Sequence, residues 1–140
     1  MNENKITLVL DYMDTLFDLA GNSDKSLIAR GKEVEAENND IFICSSQMWM
    51  VIELKLERNN WHLSDDSYLW DEGKSTPEFW KKIIAMKELN KEMTLVIDDS
   101  KLNCEAARKA GLTAIQWELG KDYSMNKLNA ELAKRGCKPA

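Results

Sequence analysis

Short apolar runs alternate along this chain with longer segments in which apolar residues recur every three or four positions. The runs predict buried strands, because a parallel strand is covered on both faces, and the recurring positions predict amphipathic helices. Two runs end in acidic residues: the run from Leu8 to Leu10 leads directly into Asp11, and a second run leads into Asp98 and Asp99. Alternation of this kind is typical of βαβ units around a parallel sheet.

The pattern predicts five strands and five helices. Strands are expected over about 6–11, 40–44, 67–70, 94–98 and 112–117. Helices are expected over about 23–37, 49–58, 76–86, 102–110 and 125–132. The second is expected to stop at 58–60, the third to begin with a Thr76 cap and Pro77, and the fourth to be closed by Gly111. With right-handed crossovers these elements form one α/β domain over 1–140, a three-layer α/β/α sandwich with a mainly parallel, doubly wound five-stranded sheet.

Composition and charge exclude several classes of protein. The net charge of −5 argues against nucleic-acid binding through bulk electrostatics. No stretch reaches the length of a membrane span, and the beginning of the chain lacks a signal-peptide pattern. Three widely spaced cysteines, Cys44, Cys104 and Cys137, are typical of reduced thiols. The sequence therefore predicts a cytoplasmic protein without a membrane partner.

The acidic strand ends point to a cation site. In an open parallel sheet, ligands bind beyond the carboxyl ends of the strands, so Asp11, Asp98 and Asp99 are expected at one edge. Carboxylates crowded together are costly unless a cation or a change of protonation relieves them. Because hard oxygen ligands suit Mg²⁺, we expect Mg²⁺ as the cofactor.

Four stations along the chain resemble the motifs of the haloacid dehalogenase (HAD) superfamily of phosphotransferases. They are residues 11–16 after the first strand, Ser45 after the second, Lys74 before a helix started by Pro77, and the Asp98-Asp99 pair after the fourth strand. The resemblance implies a HAD-like Rossmannoid fold and a Mg²⁺-dependent phosphohydrolase or phosphotransferase that acts on a phosphorylated substrate through an aspartyl-phosphate.

The resemblance also implies roles for individual residues. Asp11 would be the nucleophile, and Ser45 and Lys74 would hold the phosphoryl oxygens. The metal ligands would be Asp11, Asp98, Asp99 and the backbone carbonyl of Met13. Supporting positions are Asp14, Thr15, Ser46 and Asn103.

Met13 departs from the family pattern, because phosphatases of this family usually carry a second aspartate there as general acid and base. A thioether cannot do that work. General acid–base catalysis is commonly worth about 10²–10⁴-fold, so we expect magnesium binding to survive and turnover to be slow. Asp14 occupies the next position along the loop.

The chain also has no room for the cap domain that many family members insert. By resemblance, members without a cap act on large substrates, macromolecules included, or cover the site with a neighbouring subunit. The expected partners are thus a phosphorylated substrate and a second copy of the chain.

Two alternative functions and two alternative residue roles stay open on the sequence. The chain could be a catalytically silent HAD-like domain that serves as a binding or assembly module, or a response-regulator receiver, although a receiver places its lysine after the last strand. Ser45 could instead cap the following helix. Trp61 and Trp70 are expected in the core, with substrate stacking or a subunit contact as the alternative.

Overall fold

Five apolar runs pair into one parallel sheet in the computed structural model of the chain, which describes residues 4–139. The strands are β1 (Thr7–Asp11), β2 (Asp40–Ser45), β3 (Tyr68–Trp70), β4 (Thr94–Asp98) and β5 (Thr113–Gln116). Their order is β3-β2-β1-β4-β5, so β1 and β4 lie side by side at the centre. Every residue of these two strands is buried, as expected for strands covered on both faces.

Helices cover both faces of the sheet. They are α1 (Lys25–Ala36), α2 (Trp49–Glu57), α3 (Pro77–Met86), α4 (Lys101–Lys109) and α5 (Asp122–Lys134). One face packs against α1, α2 and α5, and the other packs against α3 and α4. Successive residues of β1 alternate between the two sides, with Leu8 and Leu10 in the first core and Val9 in the second. The predicted three-layer α/β/α sandwich is confirmed.

The strand order also distinguishes a HAD-like sheet from a receiver sheet. Receivers have a doubly wound sheet of order 2-1-3-4-5, whereas here β1 is central and lies between β2 and β4. The receiver interpretation is therefore wrong. The segments joining β1 to β2 and β2 to β3 each contain one α-helix, and within residues 4–139 no cap domain is present.

Three local predictions are wrong. Met86 and Leu102 are 59% and 66% exposed, although the spacing placed both on core-facing stripes. Each lies in a terminal turn, beyond the part of its helix that contacts the core. Thr76 does stand at the N-cap of α3, but its hydroxyl donates to the carbonyl of Gly73 and makes no capping bond.

The tryptophans divide between core and surface. Trp61 is buried, as predicted, whereas Trp70 at the end of the edge strand β3 is 51% exposed, so its predicted core position is wrong. Cys44 and Cys104 are buried free thiols. Among the described residues, no helix combines the length and the apolar character needed to cross a membrane.

Candidate functional site

Three carboxylates meet where the two central strands end. Asp11 is the last residue of β1, Asp98 is the last residue of β4, and Asp99 follows it. One carboxylate oxygen from each of these residues lies within 4.8 Å of the other two. Asp11 and Asp98 are buried and Asp99 is half-buried. The parallel sheet thus brings together acidic side chains that are far apart in sequence, and we call these three residues the carboxylate cluster.

Lys74 supplies a buried positive charge to the cluster. Its Nζ donates to Asp11 Oδ1 at 2.7 Å and to the carbonyl of Cys44 at 3.0 Å. The same atom lies 2.9 Å from Asp98 Oδ2. Because the side chain is only 4% exposed, this ammonium interacts with the two carboxylates in place of water.

A tight turn before α3 fixes the backbone of Lys74. Asp71 Oδ1 accepts hydrogen bonds from the backbone N–H groups of Gly73 and Lys74, each at 2.9 Å. The buried indole of Trp80 donates to the Lys74 carbonyl at 2.8 Å. Both peptide groups of Lys74 are therefore held, so the long side chain starts from a defined point.

Hydroxyl and amide groups orient the carboxylates. Thr15 Oγ1 donates to Asp11 Oδ2 at 2.9 Å and accepts from the backbone N–H of Asp99 at 3.1 Å, so it links two members of the cluster. Asn103 Nδ2 donates to Asp98 Oδ2 at 3.1 Å, and the Ser100 backbone N–H donates to Asp98 Oδ1 at 2.9 Å. The structure thus places Thr15 and Asn103, two predicted supporting residues, in contact with the cluster.

Burial dominates the electrostatics of the cluster. It raises the pKa of Asp11 to about 6, against the opposing effect of the Lys74 ammonium, and a hydrogen bond with the Asp99 side chain raises that pKa further. Burial likewise raises the pKa of Asp98, with Lys74 again opposing it. Burial would lower the pKa of Lys74, but the two carboxylates outweigh it and raise that pKa.

The donor set fits a divalent cation. Three carboxylates against one ammonium carry an excess of two formal negative charges. The three side chains lie close enough together to share one cation, which would offset that excess. All the available ligand atoms of the cluster are oxygens, which is the set that Mg²⁺ prefers.

The two residues after Tyr12 point to different places. Met13 is half-buried, and its side chain packs against the core on the α1 side of the sheet. Asp14 is exposed and has a left-handed backbone, with φ of 64°, a conformation in which Asp and Asn are enriched. The thioether at position 13 therefore serves packing, and the carboxylate of Asp14 reaches solvent.

Ser45 ends β2 next to the cluster. Its predecessor Cys44 pairs with Asp11 in the sheet register, and the buried Ser45 Oγ accepts the backbone N–H of Gln47 at 3.0 Å. The N-cap of α2 is Met48, so the helix-cap interpretation of Ser45 is wrong. Ser46 is exposed in the same loop.

Asp24 is a buried residue of the site region that the sequence did not single out. Its Oδ1 caps α1 by accepting the Leu27 N–H at 3.0 Å. Its Oδ2 accepts the indole N–H of Trp117 at 2.8 Å and the backbone N–H of Gly120 at 2.9 Å. An aspartate at a helix start signals a cap. The hydrogen bond from Trp117 to Asp24 spans 93 residues of sequence, and only the topology of the fold brings these two residues together.

Comparisons with known proteins identify the fold. No family model matches this sequence, and no curated protein matches it. Among solved structures, an uncharacterized protein from Corynebacterium glutamicum matches with a TM-score of 0.66 at 18% identity, over 96% of this chain and 97% of that one. A HAD family enzyme from Bacteroides thetaiotaomicron, solved as a magnesium complex, matches with a TM-score of 0.61 at 14% identity, over 89% of this chain and 98% of that one.

A third match carries a phosphate. A HAD family hydrolase from Deinococcus radiodurans, with bound phosphate and sodium, gives a TM-score of 0.60 at 14% identity and covers 99% of this chain and 100% of that one. The chain therefore has the α/β fold of HAD family enzymes over nearly its whole length.

Proposed function

We propose that this protein is a Mg²⁺-dependent phosphohydrolase of the HAD superfamily that acts through a phosphorylated Asp11. The observation that carries the proposal is the ion pair between the buried Lys74 ammonium and Asp11, 2.7 Å apart, within a cluster completed by Asp98 and Asp99. The fold shared with HAD family enzymes, one solved with magnesium and one with phosphate, supports it.

Asp11, Asp98, Asp99 and the backbone carbonyl of Met13 are the proposed magnesium ligands. When bound, the ion would neutralise the excess carboxylate charge and the charge of the phosphoryl group. Lys74 holds one Asp11 oxygen through Oδ1 and Thr15 holds the other through Oδ2, so the carboxylate is oriented before substrate arrives. Ser45 and Lys74 are the proposed contacts of the phosphoryl oxygens.

The reaction has two steps. An oxygen of Asp11 attacks phosphorus, and the bond from phosphorus to the ester oxygen breaks. The leaving group departs with the electron pair and takes up a proton. In the second step water attacks the phosphorus of the aspartyl-phosphate and loses a proton. Inorganic phosphate is released and the Asp11 carboxylate is restored.

Met13 favours slow turnover and also supports a second candidate function. No carboxylate stands at position 13, and the thioether there packs against the core. General acid–base help is commonly worth about 10²–10⁴-fold, so its loss is compatible with a slow phosphatase. The same observation supports a catalytically silent domain that keeps the fold and the metal and serves as a binding module.

The edge of the sheet at the carboxylate cluster is open, which favours large substrates. Because no cap covers the carboxylate cluster within residues 4–139, a phosphate on a large molecule could approach it. We also propose that a second copy of the chain covers the site by binding at this open edge.

Hydrolysis of p-nitrophenyl phosphate tests the proposal. We expect activity in Mg²⁺, no activity with a chelator, and a loss of at least about 100-fold in Asp11→Asn, which removes the nucleophile and keeps its shape. Asp66→Asn is the matched control, because Asp66 is exposed in the turn directly before β3, at the end of the parallel strand opposite to the end where the cluster lies. Equal rates for wild type and Asp11→Asn would contradict the proposal.

Met13→Asp separates the slow enzyme from the silent module. If turnover is limited by the missing acid and base, the substitution raises kcat on an alkyl phosphate by about 10-fold or more. If the wild-type protein has no activity and Met13→Asp gives it activity, the natural function is that of the silent binding module.

A further inference from the structure

An open depression of about 460 Å³ adjoins the carboxylate cluster. It begins at Asp99, crosses the end of β5 at Gln116 and reaches Tyr123 and Lys127 in α5. The Gln116 side-chain amide donates to the Asp99 carbonyl at 3.4 Å, which ties the floor of the depression to the cluster. Since Asp99 belongs to both, a group attached to a phosphate at Asp11 has the depression within reach.

The wall of the depression is held in place by buried anchors. Trp117 and Gly120 both lie in the β5–α5 loop, and both donate to the buried Asp24 carboxylate. Between them, the backbone N–H of Glu118 donates to the hydroxyl of buried Ser124 at 3.0 Å. The shape of the wall is therefore set before a ligand arrives, which lowers the ordering cost of binding.

The lining of the depression is net negative. Asp14, Asp99 and Glu118 contribute carboxylates, and Lys127 contributes one ammonium. The half-exposed Tyr123 donates its hydroxyl to the Glu118 carboxylate and presents its ring, with the Lys127 Nζ 5.9 Å from the ring centroid. Carboxylates accept hydrogen bonds from hydroxyl and ammonium groups and repel anions.

We propose that this depression binds the leaving group of the substrate, and that Glu118 makes it prefer hydroxylated or amine-bearing groups over groups with a second negative charge. The assignment rests on the proposed function, because it takes Asp11 as the point where the phosphate is held. Lys127 acts in the opposite sense and limits the preference.

Three six-carbon phosphate esters of matched size test the preference: glucosamine 6-phosphate, glucose 6-phosphate and 6-phosphogluconate. Their dissociation constants are measured by NMR titration of the whole chain in Mg²⁺, with the Asp11→Asn variant to prevent turnover. We expect 6-phosphogluconate to bind about tenfold more weakly than glucosamine 6-phosphate, because the open depression keeps charge interactions close to their size in water. Besides the shifts that the phosphate causes around Asp11, Ser45 and Lys74, the esters should shift backbone amides of residues 116–127.

Two charge-matched variants locate the effect. Glu118→Gln should reduce the tenfold ratio to about threefold, because it removes one of the repelling carboxylates. Glu57→Gln removes the same charge from the last turn of α2, which runs back toward the opposite edge of the sheet, and should leave the ratio unchanged. Glu118→Gln without effect on the ratio overturns the role of Glu118.

The remaining outcomes are equally distinct. Equal binding of the three esters, tighter binding of 6-phosphogluconate, no binding of any ester, or the absence of shifts in residues 116–127 each overturn the assignment. Binding in the expected order, in a wild-type protein that hydrolyses none of the esters, would overturn the proposed activity and support the selectivity of the depression.

Discussion

Replacing Lys74 with methionine should strongly destabilise the metal-free protein at neutral pH. The substitution keeps the length of the aliphatic side chain and removes the ammonium that lies 2.7 Å from Asp11 and 2.9 Å from Asp98. Both carboxylates are buried and would lose their shared counter-charge. Breaking a buried ion pair from one side costs about 3–5 kcal/mol. For a chain of this size, that corresponds to a fall in Tm of about 12–20 °C.

The loss should depend on pH in a defined direction. Burial raises the pKa of Asp11 to about 6 from the 3.8 of an unfolded chain, and Lys74 opposes that rise. Removing Lys74 therefore raises the pKa of Asp11 further. A carboxyl group whose pKa is raised on folding destabilises the folded state fully above the folded-state pKa. The penalty shrinks as pH falls below that pKa and is gone below the unfolded pKa. The destabilisation should be largest above pH 7 and much smaller at pH 5.

Thermal unfolding followed by circular dichroism measures both effects, in chelator at pH 7.5 and at pH 5. Saturating Mg²⁺ should also reduce the loss, because the ion compensates the same carboxylates. The control is Lys82→Met, which removes an exposed lysine that pairs with Glu72 at 3.0 Å. An exposed pair of this kind is worth only about 0–1 kcal/mol. A Lys74→Met protein as stable as Lys82→Met at pH 7.5, or equally destabilised at both pH values, would show that Lys74 does not compensate the buried carboxylates.

Three further predictions concern stability and metal binding. Gly31→Ala should lower the free energy of unfolding in urea by about 1–3 kcal/mol, because the added Cβ would lie 2.5 Å from the Trp61 ring. Alanine alone would favour the helix, so a neutral or stabilising result contradicts this packing. Asp24→Ala should lower the free energy of unfolding by about 2–4 kcal/mol, because it removes a helix cap and the hydrogen-bond acceptor of Trp117. A loss below about 1 kcal/mol would show that the β5–α5 loop is anchored by other contacts. Mg²⁺ affinity, measured by calorimetry, should fall about tenfold per pH unit below pH 6 as a proton competes at Asp11, whereas a constant affinity from pH 7 to 5 would exclude Asp11 as a ligand.

The convergence of the acidic residues could be predicted from the sequence because it depends on local pattern and one rule of topology. Apolar runs that end in Asp11 and Asp98 define buried strands, and parallel strands bring their ends to one edge. Lys74 is different. It lies 63 residues from Asp11, and only the family pattern singled it out among the lysines of the chain.

The errors have equally physical causes. Helical spacing gives the face of a residue but not whether that part of the helix reaches the sheet. It therefore predicts inward positions for Met86 and Leu102, whose turns project into solvent. The bond from Trp117 to Asp24 requires two loops to meet across the fold, which no local pattern encodes. The packing of Met13 against the core depends on the same tertiary contacts.

The proposed function depends most directly on a divalent ion shared by Asp11, Asp98 and Asp99. Crystals of the protein soaked in Mn²⁺, which scatters anomalously and takes the same oxygen ligands as Mg²⁺, test it directly. We expect one anomalous peak, about 2.1 Å from a carboxylate oxygen of Asp11 and from one of Asp98 or Asp99. A peak elsewhere, or none at these residues in a crystal that binds Mn²⁺ at other positions, would contradict it.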